Sequence, residues 1–260
     1  MLEINEGERK AYQHIRKAWR EGATTLNLSD LKLTKLPKAI ASLTQLQQLY
    51  LHNNQLTKLP EAIASLTQLQ QLHVHNNQLT ELPEAIASLT QLQQLNLNNN
   101  QLTKLPEAIA SLTHLRVLNL NNNQLTELPE AIASFKHLRL LYLNNNKLTQ
   151  LPEAIASFKH LQAGLKIDNN PFNPDLAAAY EQGTEALLQY LRAKAEAKIT
   201  LNEAKLILIG EGEVGKSCLL GALREDEWLE SRPTTHGIEI KPVIVTHPDS
   251  GTEIQQIASK

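Results

Sequence analysis

A glycine-rich segment near residue 210 carries the side chains and spacing best suited to chemistry. It reads GEGEVGKS over residues 210–217 and matches G-x-x-x-x-G-K-S, the pattern of a phosphate-binding loop. Such glycines let the backbone curl so that successive N–H groups point at a phosphate. Lys216 would reach the β- and γ-phosphates, and the Ser217 hydroxyl would ligate Mg²⁺. The predicted phosphate-binding residues are Gly210, Glu211, Gly212, Glu213, Val214, Gly215, Lys216, Ser217 and Cys218.

The surroundings of this loop meet two further requirements. The apolar run LILI at 206–209 predicts a parallel strand buried on both faces, and the apolar residues after Ser217 predict a helix whose positive end faces the phosphate. A purely structural glycine turn is the alternative. Strand, motif and helix together favour nucleotide binding.

A second segment follows at a suitable distance. Residues 232–240 read RPTTHGIEI, and this resembles the switch I segment of a Ras-like GTPase leading into its second strand. Thr235 is then the candidate second Mg²⁺ ligand. An ordinary threonine-rich loop before a strand is the alternative. We expect an edge strand at Val243 and Val245, because Pro242 lacks an N–H, and a returning strand over 253–258.

Most of the chain before this point is one repeated unit of 23 residues. Its skeleton LxxLxLxxNxLxxLPxxIxx(L/F)xx begins at Leu46, Leu69, Leu92, Leu115 and Leu138 and is that of a leucine-rich repeat. The preceding unit, 23–45, is atypical, with Leu31 where asparagine is expected. The last unit opens at Leu161 and has one extra residue at Ala163 or Gly164.

The chemistry of each unit predicts its path. The LxL segment alternates as a strand does, so stacked units form a parallel sheet on the concave face. After Asn54 the apolar residues take roughly helical spacing on the convex side, with Pro60 in a first helical turn. A column of asparagines should be buried between coils, where it satisfies backbone groups. These are Asn54, Asn77, Asn100, Asn123 and Asn146.

Both ends of such a solenoid need a cover. At the start, residues 7–20 predict an amphipathic helix that ends at Gly22 and places Tyr12, Ile15 and Trp19 on its apolar face, with Trp19 over the first coil. At the far end, Asn173 and Pro174 predict the N-cap and first residue of a short helix, and a second helix follows from Thr184.

The concave face is the expected binding surface because it collects the outward strand positions of every unit. It is polar, carries tyrosine at two points and is almost free of charge, which suits a protein partner held by hydrogen bonds and tyrosine anchors. A solvated face without a partner is the alternative. A metal on the histidines is disfavoured because no carboxylate or cysteine stands beside them. The predicted contact residues are Gln48, Tyr50, His52, Gln71, His73, His75, Gln94, Asn96, Asn98, Asn119, Asn121, Tyr142 and Asn144.

Composition limits the remaining classes of protein. The 260 residues carry a formal net charge of −2, with no basic excess to indicate nucleic-acid binding and no apolar run of membrane-spanning length. The single cysteine, Cys218, excludes internal disulfides and predicts a cytoplasmic location.

Repeats of this type, a linker helix, GEGEVGKS and THGIEI together resemble the Roco family, in which a Ras-like Roc GTPase domain follows leucine-rich repeats. In the switch ATPases of innate immunity the order is the opposite, since their nucleotide-binding domain precedes the repeats. The resemblance implies GTP or GDP with Mg²⁺, a signalling or scaffolding role, and a homodimer formed through a further C-terminal region. The family's D-x-x-G and N/T-K-x-D motifs do not occur in this sequence, so we expect no hydrolysis from these residues alone.

The predicted fold class is therefore α/β: a leucine-rich-repeat solenoid followed by the first part of a Ras-like domain, as a fragment or a vestigial remnant. The predicted domains are a helical cap at 1–22, the solenoid at 23–173, a helical cap and linker at 174–203, and the partial Roc-like domain at 204–260. Two other functions stay open: an interaction scaffold with a non-functional GTPase remnant, and a phosphate-loop protein that uses ATP.

Overall fold

The computed structural model describes residues 5–158, 161, 164–202, 243–246 and 253–256. The chain forms two compact units, Met1–Lys194 and Ala195–Lys260. The first unit contains the repeats, and the second contains the residues predicted to bind nucleotide.

A parallel sheet of seven short strands runs through the first unit in chain order. Its register pairs each residue with the same position of the next repeat, as Gln48 with Gln71, and the last pair, Leu141 with Leu165, absorbs the extra residue predicted in the final unit. The leucine at the centre of each three-residue strand is buried, which confirms the predicted alternation. The strands are β1 Thr25–Asn27, β2 Gln48–Tyr50, β3 Gln71–His73, β4 Gln94–Asn96, β5 Val117–Asn119, β6 Leu140–Tyr142 and β7 Leu165–Lys166.

The convex side consists of single 3₁₀ turns rather than helices that begin at the proline. Pro60 itself is extended, with φ −74° and ψ 153°, and its carbonyl accepts the N–H of Ile63 at 3.0 Å. Neighbouring coils lie about 4.8 Å apart on the sheet side, whereas a packed α-helix is about 10–12 Å wide, so the narrower turn fits. The turns span Lys38–Ser42, Glu61–Ser65, Glu84–Ser88, Glu107–Ser111, Glu130–Ser134 and Glu153–Ser157.

Between sheet and turns lies one continuous core of leucine and isoleucine. In the first full repeat Leu49, Leu51, Leu56, Ile63 and Leu66 are all fully buried, and their counterparts in later coils continue the same columns. Each coil therefore covers the open side of the coil before it, and the stability of a unit depends on its neighbours.

The predicted asparagine column lies inside this core and joins adjacent coils. Asn100 accepts the N–H of Leu79 at 2.9 Å, and its amide nitrogen donates to the carbonyls of Val74 at 3.1 Å and Leu97 at 3.0 Å. The side chain is only 7% exposed. One amide thus satisfies backbone groups in two coils, which confirms the predicted structural role.

A second asparagine column, one residue earlier in each unit, was not predicted. Asn99 has φ 54°, in the left-handed region that asparagine tolerates better than most residues. The Nδ2 of Asn99 donates to Oδ1 of Asn76 at 2.6 Å, that of Asn76 to Asn53 at 2.7 Å, and that of Asn53 to the Asp30 carboxylate at 3.0 Å. These exposed amides form a head-to-tail chain of hydrogen bonds along the edge of the solenoid.

The N-terminal cap is helix α1, Glu6–Glu21, with Asn5 as its N-cap and Gly22 in the left-handed conformation as its C-cap. Its buried stripe is Ala11, Ile15 and Ala18, whereas Trp19 is 61% exposed. The prediction that Trp19 covers the first coil is therefore wrong.

The physical reason is the close approach of α1 to the first coil. A Cβ at Gly7 would lie 1.9 Å from the carbonyl oxygen of Leu31. Gly7, Ala11, Ile15 and Ala18 lie along one face of the helix, since positions three and four apart are neighbours. The glycine and the two alanines on that face let the helix backbone approach the first coil, whereas a tryptophan ring there would hold it away.

The C-terminal cover has two helices, as predicted. Helix α2, Pro174–Glu181, begins with Asn173 as N-cap, whose Oδ1 accepts the N–H of Leu176 at 2.9 Å. Helix α3, Thr184–Asn202, follows. Its residues Leu187, Leu188 and Leu191 are fully buried and join the solenoid core. These leucines close the last coil.

After the end of α3, the described elements of the second unit are strands β8, Val243–Thr246, and β9, Glu253–Gln256, which pair antiparallel. The register sets Val245 opposite Ile254. Both strands lie where the edge strand and the returning strand were predicted.

Candidate functional site: the concave face

The predicted phosphate-binding residues 210–218 and the candidate Mg²⁺ ligand Thr235 lie outside the described residues. Their assignment to a nucleotide site therefore stays a prediction from sequence. The concave-face residues are described in full, and every predicted contact residue on that face is half-buried.

Four rings form one cluster on the concave face of the first repeats, here called the ring patch: Tyr50, His52, His73 and His75. Tyr50 stacks on His73 with centroids 5.0 Å apart, and His52 stacks on His75 at 4.6 Å with planes 4° apart. The two stacks meet edge to face. The cause is the register, because in-register parallel strands place residues at equivalent positions about 4.8 Å apart.

Two imidazoles of the ring patch, those of His73 and His75, are poor sites for a positive charge. Nδ1 of His52 and of His75 is buried and has no hydrogen-bond partner among the described residues. Burial lowers the pKa of His73, and the adjacent His52 lowers it further. Burial also lowers the pKa of His75, with smaller contributions from His52 and His73. The neutral forms of His73 and His75 are therefore favoured within the patch.

This patch should make stability depend on pH. Since the folded state binds protons more weakly at His73 and His75, the unfolded chain takes up more protons as the pH falls below about 6.5, and the free energy of unfolding decreases. The contribution of the two histidines to the free energy of unfolding is complete above about pH 6.5. It is lost as the pH falls through their lowered pKa values. The double variant His73→Asn/His75→Asn, which copies Asn96 and Asn98 of the next repeat, should flatten this dependence.

Urea melts between about pH 5 and 7.5 measure the effect. His14→Asn, which removes one exposed imidazole from α1, serves as the control. Parallel pH profiles for the double variant and the unchanged chain would contradict the prediction.

The asparagines of the later repeats are less available than the sequence indicated. Oδ1 of Asn119 accepts the N–H of Asn121 at 3.1 Å, Oδ1 of Asn121 accepts that of Asn144 at 2.7 Å, and Oδ1 of Asn144 accepts that of Asp168 at 2.9 Å. The side-chain oxygens of these asparagines thus accept hydrogen bonds from backbone N–H groups of the solenoid. What they can still offer a ligand is mainly N–H donors.

One group of exposed residues on the rim of the concave face was not predicted as a site. It is here called the basic edge: His114, Arg116, Lys136, His137 and Arg139. The rings of His114 and His137 are stacked with centroids 6.4 Å apart, and Nδ1 of His114 lies 3.0 Å from the carbonyl oxygen of Thr90. A shallow cavity of about 170 Å³ opens here, lined by Gln93, His114, Arg116 and His137.

The sequence contained the signal for the basic edge. Arg116 and Arg139 occupy the positions that Gln47, Gln70 and Gln93 hold in earlier repeats. Because the repeats are otherwise nearly identical, the change from neutral glutamine to charged arginine at this position indicates a local difference in the surface. The predicted contact residues begin one position later in each repeat, as at Gln48, and so did not include Arg116 or Arg139.

Within the described part of the chain, no group of three or more His, Cys, Asp or Glu side chains is placed to hold a metal ion. No helix in that part is both long and apolar enough to cross a membrane.

Comparisons with known proteins agree with this architecture. A model of the leucine-rich repeat region matches residues 24–107, and a model of two leucine-rich repeat copies matches residues 113–160. The Ras family model matches residues 205–257. No curated protein matches the chain.

Among solved structures, a leucine-rich-repeat protein of Leptospira interrogans is 36% identical, with a TM-score of 0.52 over 60% of this chain and 46% of its own. YopM of Yersinia enterocolitica is 33% identical, with a TM-score of 0.47 over 58% of this chain and 31% of its own. This chain thus matches less than half the length of either protein. The repeats, the parallel sheet and the Ras-family match together identify a leucine-rich-repeat solenoid followed by part of a Ras-like domain.

Proposed function

We propose that this chain is a Roco-type signalling protein of the cytoplasm. In this proposal the solenoid binds a protein partner on its concave face, and residues 204–260 belong to a Roc-type domain that binds GTP or GDP with Mg²⁺. Dimerisation through a region C-terminal to that domain is part of the same proposal.

The order of parts is the observation that carries the proposal. The Ras-family match at 205–257 begins directly after α3, the helix whose first half closes the solenoid. That match contains both GEGEVGKS and THGIEI, so the phosphate loop and the candidate switch segment occur in the order a Ras-like domain requires.

The ring patch supports the protein-binding half of the proposal. Stacked rings are stiff, so they lose little conformational entropy when a partner covers them. The surface near the patch is polar, with Gln48 accepting a hydrogen bond from the Tyr50 hydroxyl at 3.1 Å. Aromatic residues with adjacent polar groups are the type of surface on which protein partners gain most of their affinity.

The nucleotide half is tested by calorimetry with GDP and ADP in Mg²⁺ buffer. We expect weak binding of both nucleotides with similar affinity, because the phosphate loop is complete while these residues include no base-reading N/T-K-x-D motif. Lys216→Ala should abolish that binding. Removal of Mg²⁺ should weaken it.

Lys241→Ala makes the same charge change outside the loop and serves as the control. Submicromolar, guanine-selective binding would show that the base is read elsewhere in these 260 residues. Selective binding of ADP would favour the ATP-using alternative. No binding of either nucleotide would favour the scaffold with a non-functional GTPase remnant.

A further inference from the structure

The basic edge arises from a local departure within a near-uniform array. The position of Arg116 and Arg139 is glutamine in the three preceding coils, as Gln47, Gln70 and Gln93. The position of His114 and His137 is likewise glutamine earlier in the chain, as Gln45, Gln68 and Gln91. Lys136 replaces a threonine. The core leucines beside the histidines and arginines, Leu115 and Leu138, are the same as in earlier coils, whereas buried Phe135 next to Lys136 replaces a leucine. The strand register stays the same, so these substitutions mainly alter the surface of the coil.

The two arginines are neighbours along the sheet. The backbone N–H of Arg139 donates to the carbonyl of Arg116 at 2.9 Å, and both side chains are exposed. Arg116 and Arg139 directly precede β5 and β6, and like charges placed side by side repel each other. None of the ion pairs found within the described ranges involves Arg116, Arg139 or Lys136. The basic edge is therefore a concentration of positive charge without internal compensation from such pairs, on a chain whose net charge is −2.

An apolar strip lies next to this charge. Val117 and Leu140 replace the glutamine column of β2, β3 and β4, and both are half-buried on the concave face. They pair with each other across β5 and β6. Tyr142, two residues after Leu140, has its side chain on the same face of the strand. Apolar, aromatic and arginine side chains together form the usual centre of a protein interface.

We infer that the basic edge and its apolar strip form a docking surface for an acidic protein segment. Carboxylates of that segment pair with Arg116 and Arg139, and one apolar side chain packs on Val117 and Leu140. The inference rests on the proposed protein-binding role of the solenoid and gives that role a place and a partner chemistry. A nucleic acid fits less well, since its phosphate backbone has no apolar group to cover Val117 and Leu140.

The test uses the full chain and three synthetic peptides with one central leucine. In the first peptide the flanking residues are glutamate, in the second glutamine and in the third lysine. Binding is measured by fluorescence anisotropy at low and moderate salt. We expect the acidic peptide alone to bind, and to bind more weakly at the higher salt because exposed charges are screened.

The decisive variant is Arg116→Gln/Arg139→Gln, which restores the residue of the earlier repeats and therefore leaves the fold intact. It should weaken binding of the acidic peptide about tenfold or more, the change expected from losing two charge pairs at an interface. Lys58→Gln/Lys104→Gln removes the same charge from exposed positions of other coils and copies Gln150 of the last full repeat. This control should bind as the unchanged chain does.

The outcomes separate this inference from the wider proposal. If Arg116→Gln/Arg139→Gln and Lys58→Gln/Lys104→Gln weaken binding of the acidic peptide equally, only the overall charge of the chain matters. That result would overturn the inference of a docking surface. A different result would be that the neutral peptide binds, that Tyr50→Asn/His73→Asn abolishes this binding, and that Arg116→Gln/Arg139→Gln leaves it unchanged. Protein binding would then lie at the ring patch. That result would overturn the inference while leaving the proposed function standing. No binding of any of the three peptides would count against both.

Discussion

Replacing Asn100 by alanine is expected to lower the free energy of unfolding by about 3 kcal/mol, from three strong hydrogen bonds at about 1 kcal/mol each. The side chain is buried and bonds to Leu79, Val74 and Leu97, so its loss leaves backbone groups of two coils without partners. No water-exposed position of the same coil carries a comparable set of contacts to the backbone.

Urea melts followed by circular dichroism measure this loss, and Gln101→Ala is the matched control. Gln101 is exposed and adjacent in sequence, so its truncation should change the melt by a few tenths of a kcal/mol at most. Hydrogen exchange should show that the Asn100 variant loses protection in the coils on both sides, because coils share their stability. Equal melts for the two variants would remove the bridging role of Asn100.

Truncation of Ile15 is expected to have an effect of similar size at the N-terminal end. The Ile15 side chain is 3% exposed between α1 and the first coil, so Ile15→Ala should cost about 2–5 kcal/mol of local stability. Trp19→Ala should cost much less, although the removed side chain is larger, because most of the Trp19 surface is already in water.

Hydrogen exchange is the appropriate measurement, since the end of a solenoid can open before its centre. In the Ile15 variant, residues of β1 and β2 should lose protection first, while β4 and β5 remain protected. In the Trp19 variant the pattern should stay close to that of the unchanged chain. Stronger fraying in the Trp19 variant would mean that α1 packs through the face predicted from its amphipathic pattern.

The repeats combine a constant interior with a variable surface. Buried residues at equivalent positions of the repeats, such as Asn100 and its counterparts, change little from coil to coil because each coil must match its neighbours on both sides. The outward strand positions are under no such constraint. The residue types on the concave face and its rim can therefore vary from repeat to repeat while the strand register stays constant. They include glutamine, histidine, tyrosine, arginine and valine.

Sequence alone determined the architecture of the repeats. The period of the leucines sets the strand register, because a slip by one residue would turn every buried leucine toward solvent. The buried asparagine column followed from the same period, since only a polar residue with backbone partners can recur inside a core. The strands at Val243–Thr246 and Glu253–Gln256 were likewise predicted from alternation and proline placement. For the phosphate loop at 210–218, the sequence is the basis of its assignment.

Tertiary structure decided the features that depend on distances between elements. The spacing of coils selected 3₁₀ turns at Glu61–Ser65 over an α-helix, and the close approach of α1 to Leu31 selected Ala11, Ile15 and Ala18 over Trp19 as the buried face. Local periodicity could not show either result, because it contains no information on how near the neighbouring coil lies. For the same reason the rings of His52 and His75 form one site only because the sheet brings their centroids to 4.6 Å from each other.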